Sequence, residues 1–274
     1  MSSTNNHNST PDYTMGYGRD YIDFLLQAPE NEINVLLQPF LAPGQCVLDL
    51  GCGPGHISIA LARSVVPGEM YGVDMEPSQV ELAQLLAAEH SVINATFEVA
   101  DATLMPYDDG YFDIVNCCDI LAYIPDTAAA LSEARRVLKP GGILHCREMI
   151  IGSSFVFPEN KDLNRGWEIF SELLQADDGH PQIGKELQFH LEKAGFTNLQ
   201  VSPTFETYSG SEGVDAFYRL VKGWFLSDEM TKAAKTYGTA IEEDFNRLVK
   251  SLEDWRNQPG AIASIAFGRV LGFA

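Results

Sequence analysis

The sequence predicts an α/β chain built on a doubly wound, mostly parallel sheet, and three observations carry that expectation. Between residues 45 and 149, short apolar runs alternate with amphipathic runs of helical length, the rhythm of right-handed βαβ crossovers. The first apolar run ends in a turn with three alternating glycines, Gly51, Gly53 and Gly55. The rhythm resumes near residue 182 and closes on a last apolar segment over 261–274.

The elements follow in order. The start, MSSTNNHNSTPD, is polar, carries no charged stretch followed by an apolar one, and reads as a disordered tail through Asp12 rather than a secretory leader. Helical spacing over 18–28 and 30–41, punctuated by Pro29, predicts N-terminal cap helices within 13–42. The core over 43–150 begins with strand CVLDL (46–50), helix 56–65, strand 69–74 and a helix over 77–90 that opens on Pro77. Strands at 96–101 and 111–118 follow, then a helix at 127–138 stopped by Lys139-Pro140-Gly141-Gly142, then strand 143–150. Residues 151–181 read as an insertion or lid with one helix near 160–176. Helix 182–195, strand 197–204 and the segment 259–274 complete the core around a helical substrate cap at 206–258, with helices at about 212–226, 228–238 and 240–257. A block inserted there lies beside the C-terminal edge of the sheet, where such folds bind ligands. Its aromatic residues, with those of the insertion (Phe155, Phe157, Trp167, Phe170, Phe217, Tyr218, Trp224, Phe225), fit an apolar acceptor or ordinary helix packing.

Composition narrows the function. With 274 residues, 45% hydrophobic and 20% charged, the chain has enough apolar material for a soluble core. Acids outnumber bases 38 to 18, a net charge of −20 that repels phosphate backbones and argues against nucleic acid as a partner. No apolar stretch reaches the roughly 18 residues of a membrane span. Five cysteines (46, 52, 117, 118 and 146), odd in number and set in apolar strands or beside them, favour reduced thiols and a cytoplasmic setting, and no metal-ligand spacing is visible.

The chemistry concentrates in Asp49-Leu50-Gly51-Cys52-Gly53-Pro54-Gly55, between the first strand and the first helix. Residues without Cβ let the backbone turn sharply and approach a ligand, although a tight strand-to-helix turn alone would also use them. A dinucleotide fingerprint needs a further glycine where His56 stands, and Asp49 would put a carboxylate against a pyrophosphate. That carboxylate suits a ligand with an ammonium group instead, as in S-adenosylmethionine. Asp74 ends the second strand, where a carboxylate can hold ribose hydroxyls; Asp101 ends the third and, with Ala102, can read an adenine edge. Met75 is placed either to pack on the adenine face or to fill the core.

The ordered set VLDLGCGPG (47–55), YGVDMEP (71–77), VADATLMPYDDGYFDIV (99–115) and RVLKPGG (136–142) resembles the class I S-adenosylmethionine-dependent methyltransferase superfamily, strongly over 43–150 and more weakly to about 205. In flavour it resembles the ubiquinone/menaquinone-type C-methyltransferases and small-molecule methyltransferases of natural-product pathways. The resemblance implies a seven-stranded sheet, with Asp49, Gly51, Cys52, Gly53 and Gly55 at the methionine end of the cofactor. It likewise implies Asp74 at the ribose, Asp101 and Ala102 at the adenine, and Asp119 and Ile120 reaching towards sulfonium and acceptor. DYTMGYGRDY (12–21) resembles an aromatic segment folded over the cofactor, which makes Tyr13 and Tyr17 candidates to close the site.

Methyl transfer chiefly asks the protein to align an acceptor, exclude water and, for some acceptors, take a proton. The candidate bases are His180, in the insertion, and Glu148, near the end of the fifth strand on the face opposite Arg147. The sequence thus leads to an expected small-molecule acceptor methylated on carbon, oxygen or nitrogen. The competing expectation is a protein of the same fold that binds S-adenosylmethionine without methylating, and a homo-oligomer is compatible with either.

Overall fold

The computed structural model describes residues 36–274, with Ile22 before them. The expected tail, most of the N-terminal helices, Tyr13 and Tyr17 therefore lie outside the described residues. Of the second N-terminal helix only a short 3₁₀ turn, Gln38–Phe40, is described.

The sheet core is laid down by β1 (Cys46–Leu50), β2 (Glu69–Asp74), β3 (Ala95–Val99), β4 (Phe112–Cys118) and β5 (Leu138–Met149). They pair in parallel in the order β3-β2-β1-β4-β5. Near-continuous apolar runs such as Val47-Leu48 and Ile114-Val115 suit strands buried on both faces. The helices between them are α1 (His56–Val65), α2 (Pro77–Glu89) and α3 (Thr127–Val137). Pro77 opens α2 where its missing N–H costs no bond, and the Asp126 side chain caps α3 by accepting from the Ala129 N–H.

The sequence ended the third helix at 138 and began the fifth strand at 143; β5 in fact begins at Leu138. Phe112 pairs with Leu138 and Ile114 with Ile143, so Lys139-Pro140-Gly141-Gly142 bulges out of the ladder rather than preceding it.

The second half adds β6 (Phe155–Phe157), α4 (Lys161–Ala176), α5 (Ile183–Lys193), β7 (Thr197–Val201), β8 (Thr204–Ser209), α6 (Gly210–Trp224), α7 (Asp228–Tyr237), α8 (Glu242–Arg256) and β9 (Ile262–Phe273). β9 runs antiparallel to β5, from Ile143 opposite Phe273 to Met149 opposite Phe267. Its first residues therefore extend past the C-terminal end of β5. There β6 takes one edge of β9 and β8 the other, while β7 pairs with its last residues. The sequence missed β6 and assigned 206–209 to the helical cap; those residues are strand β8.

Among the described residues three apolar clusters result. One lies under α1 and α2, and a second under α3 and α5. The third joins α4, α6, α7 and α8 to the protruding part of β9, through Ala263, Ile265 and Phe267. Trp167, Phe170, Phe217, Trp224 and Phe225 are buried in it, so helix packing accounts for these five aromatics, while Phe155 and Phe157 stay exposed. Among the described residues no helix is long and apolar enough to cross a membrane.

Candidate functional site

The chain leaves β1 for β2 on one side and later β4 for β5 on the other, so the strand order reverses between β1 and β4. Ligands of open α/β sheets bind in the crevice at that switch point. Every described candidate from the glycine turn and strand ends lies along this edge.

The glycine turn is tied to β2, because the N–H groups of Gly51 and Cys52 both donate to the Val73 carbonyl, at 2.8 and 2.9 Å. Gly51, Gly53 and Gly55 all have positive φ, at 73°, 51° and 91°, a region that favours glycine. Their surroundings differ. A Cβ on Gly51 would stand 2.2 Å from Ile120 Cγ2, and one on Gly55 2.9 Å from Ala83 Cβ, whereas one on Gly53 would meet nothing within 4 Å among the described residues. Gly51 and Gly55 thus serve packing, and Gly53 leaves open space. The Cys52 side chain is buried beneath the turn with its thiol pKa raised by burial, so it acts as a small apolar residue.

Asp74 accepts from the Gly53 N–H at 2.9 Å on one oxygen and from the Glu76 N–H at 3.0 Å on the other. The two bonds fix its plane and leave further lone pairs for a ligand. Burial raises its pKa, against those two donors. Met75 is 53% exposed, which removes the core-filling reading. Asp101 lies just past β3 and is exposed; its Oδ1 accepts from the N–H and hydroxyl of Thr103, both at 2.7 Å, and so sets the turn that carries the partly buried Ala102.

Asp49 is buried, with one oxygen taking the Ser58 hydroxyl and the other the Asn116 amide at 2.8 Å. The Asn116 carbonyl oxygen in turn accepts from His145 Nδ1 at 2.8 Å, an imidazole that burial holds neutral with its pKa pushed down to about 3. Both Asp49 oxygens thus already have partners within the protein, and the carboxylate steadies the first helical turn of α1 from below. Burial pushes its pKa up to about 6 from 3.8. The unfolded chain ionises first, so the stability conferred by the protonated form is lost as pH rises through about 6, roughly 3 kcal/mol in all. Asp49→Asn is expected to flatten the fall in urea midpoint between about pH 4 and 6; an unchanged fall would assign that titration elsewhere.

Glu148 departs from the expectation that it faces an acceptor. It is 1% exposed, and its Oε1 accepts the N–H groups of Ile120 and Leu121 at 3.0 and 2.7 Å. Strand alternation correctly put it opposite Arg147, but the loop after β4 covers that face. Burial raises its pKa. His180 does reach the same loop: its N–H donates to the Ala122 carbonyl at 2.7 Å and its Nε2 to the Pro125 carbonyl at 2.9 Å. Nδ1 is then its lone-pair nitrogen. Ile120 rests on Gly51, and Asp119, at φ 55°, pairs with Arg147; burial pushes the Asp119 carboxyl up against the pull of that guanidinium.

Ser58, Asn116, Arg147 and Glu206 were not chosen from the sequence as site residues. Asn116 had a signal, as the one amide in the otherwise apolar run IVNCC, where a buried polar group needs partners.

A family model described as a methyltransferase domain matches residues 41–199, more than half of the chain. An uncharacterized methyltransferase of Schizosaccharomyces pombe is 37% identical over 121 residues, 41% of this chain and 43% of that protein. A demethylmenaquinone methyltransferase of Staphylococcus aureus is 34% identical over 173 residues, 58% and 70% of the two chains. Two further curated relatives are matched over 60% and 49% of their own lengths. Among solved structures, phosphoethanolamine N-methyltransferase 2 of Haemonchus contortus, in complex with S-adenosyl-L-methionine, is similar in fold with a TM-score of 0.55 at 17% identity, covering 95% of this chain and 55% of that one. With its sheet order, glycine turn and strand-end acids in place, the chain belongs to the methyltransferase domain family and has its Rossmann-like fold.

Proposed function

We propose that the protein transfers the methyl group of S-adenosylmethionine to a small organic acceptor. One observation carries this reading: Asp74, held by the Gly53 and Glu76 N–H groups, stands at the end of β2 beside a turn with no described atom within 4 Å of a Cβ on Gly53. The residues present fit the cofactor. Asp74 retains lone pairs for the ribose hydroxyls, exposed Met75 offers an apolar face to the adenine, and Asp101 and Ala102 stand at the next strand end.

The cofactor supplies a methyl carbon already activated by a positive sulfur, so the protein's part is alignment and exclusion of water. Glu148 sets the backbone of 120–121, which holds Ile120 on the glycine turn, and His180 anchors the same loop from 122 to 125. In this reading both act first as positioning residues, with His180 Nδ1 the remaining candidate to take a proton. Helices α4 and α6–α8, packed on the sheet extension past its C-terminal edge, form the acceptor-selecting cap.

The acceptor class follows the relatives only as a direction: one is named for demethylmenaquinone and one for an amine substrate, and this chain's acceptor is a quinone-like, prenylated or specialised metabolite. The test is incubation with methyl-labelled S-adenosylmethionine and a panel of phenols, quinols and amines. Label transfer with equimolar S-adenosylhomocysteine supports the reading. Cofactor binding without turnover on any of them favours the non-methylating alternative, which the engagement of Glu148 and of His180 Nε2 keeps in contention.

A further inference from the structure

Asp119 and His56 end two neighbouring turns of the crevice and share an unusual condition. Asp119 follows β4 directly and holds φ 55°, a left-handed backbone that a non-glycine residue keeps at some energetic cost. One carboxylate oxygen pairs with Arg147. Arg147 is itself fixed, by Glu206 of β8 at 2.5 Å and by the ring of Phe267, whose centroid is 3.6 Å from the guanidinium carbon. Arg269, opposite Arg147 across the β5–β9 ladder, lies 3.5 Å from the same Glu206. Two cations and two carboxylates thus balance each other. The other oxygen of Asp119, Oδ1, is buried and has no hydrogen-bond partner among the described residues.

His56 opens α1, immediately after the glycine turn, and its Nδ1 is likewise buried without a partner among the described residues. Burial and the charge of Arg147 push its pKa down to about 4, so the ring is neutral at physiological pH. β1 and β4 are adjacent, so the turns that follow them, with His56 at the end of one and Asp119 at the start of the other, stand on the two sides of the switch point. A buried polar atom left unpaired is expensive, and two of them at the turns that bound the switch point call for a partner that a ligand can supply.

Charge decides what kind of group satisfies them. An anion would meet the carboxylates of Asp119 and Glu206, and a cation would meet Arg147 and Arg269. A neutral group that donates one hydrogen bond and accepts another suits a carboxylate oxygen paired with a neutral imidazole nitrogen in its N–H form. We propose that Asp119 Oδ1 and His56 Nδ1 together recognise a neutral hydroxyl on the methyl acceptor, Asp119 accepting its hydrogen and His56 donating to its oxygen. This rests on the methyl-transfer reading of the site and narrows the acceptor class to hydroxyl-bearing molecules.

The test uses the full chain loaded with S-adenosylhomocysteine, and phenol, anisole and benzoate as probes in ligand-observed NMR titrations. Phenol is expected to bind about tenfold more tightly than anisole or benzoate, as one or two net hydrogen bonds imply. His56→Ala is expected to lose that preference while binding S-adenosylhomocysteine as the wild type does, and Asp119→Ala to lose it when compared at saturating S-adenosylhomocysteine. Equal affinities for phenol and anisole in the wild type, including no binding of either, overturn the proposal. So does a loss of S-adenosylhomocysteine binding in both variants, which would assign the two residues to the cofactor. If the wild type itself fails to bind S-adenosylhomocysteine, the methyl-transfer reading falls, and this proposal with it.

Discussion

Asp74→Ala is expected to remove cofactor binding while leaving the fold in place. The carboxylate lies at the end of β2, accepts from two backbone N–H groups and retains further lone pairs. Hydrogen bonds to a charged group contribute about 1.5–3 kcal/mol each, so losing a pair to the ribose weakens binding by roughly 100-fold or more. At a cofactor concentration of about 100 times the wild-type Kd, ligand stabilisation is about 2.7 kcal/mol. The same concentration should stabilise Asp74→Ala by less than about 0.5 kcal/mol. A thermal melt of each protein with and without S-adenosylhomocysteine reads the difference; an equal rise in both would place the ribose elsewhere.

The second large effect separates two glycines that look equivalent in the sequence. Gly51→Ala forces a Cβ to within 2.2 Å of Ile120 Cγ2 at a positive φ. Left-handed strain of about 1–2 kcal/mol adds to overpacking of about 1–3 kcal/mol. In a chain of this size that lowers Tm by roughly 5–15 °C. Gly53→Ala meets no atom of the described residues within 4 Å, so among them only the φ of 51° opposes it, at about 1 kcal/mol and a few degrees of Tm. The methyl it adds stands in the space left open over the turn, so this variant should fold and yet bind S-adenosylhomocysteine at least tenfold more weakly. Melting curves paired with cofactor titrations check both halves. A Gly53→Ala protein that binds normally would mean the cofactor does not approach that part of the turn.

Much of this site was legible because its parts are local. The alternation of short apolar strands and amphipathic helices needs only neighbours in sequence, and the helix starts at His56, Pro77 and Thr127 fall where turn chemistry and capping put them. The glycine turn and the acids at the ends of β2 and β3 are likewise short-range patterns.

What escaped depends on distant residues. β6 is three residues long and β8 six, and both exist because β9 outruns β5 and offers them an edge. Asp49 was legible as a carboxylate before the turn, but its partner Asn116 lies 67 residues away on β4. Glu148 shows the limit of periodicity most plainly. Alternation assigns its face, while only the folded loop at 120–121 reveals that backbone N–H groups fill that face. The link from Asp119 through Arg147 to Glu206 joins three strands and has no local signature.

The central claim is that the crevice at the β1–β4 switch point binds S-adenosylmethionine. It is tested most directly by melting the wild-type chain with S-adenosylmethionine, S-adenosylhomocysteine, NAD and NADP in parallel. The account predicts a rise with the first two, equivalent to about 2.7 kcal/mol at 100 times Kd, and none with the nucleotides. A rise with NAD or NADP, or no rise with either sulfur ligand, would contradict it.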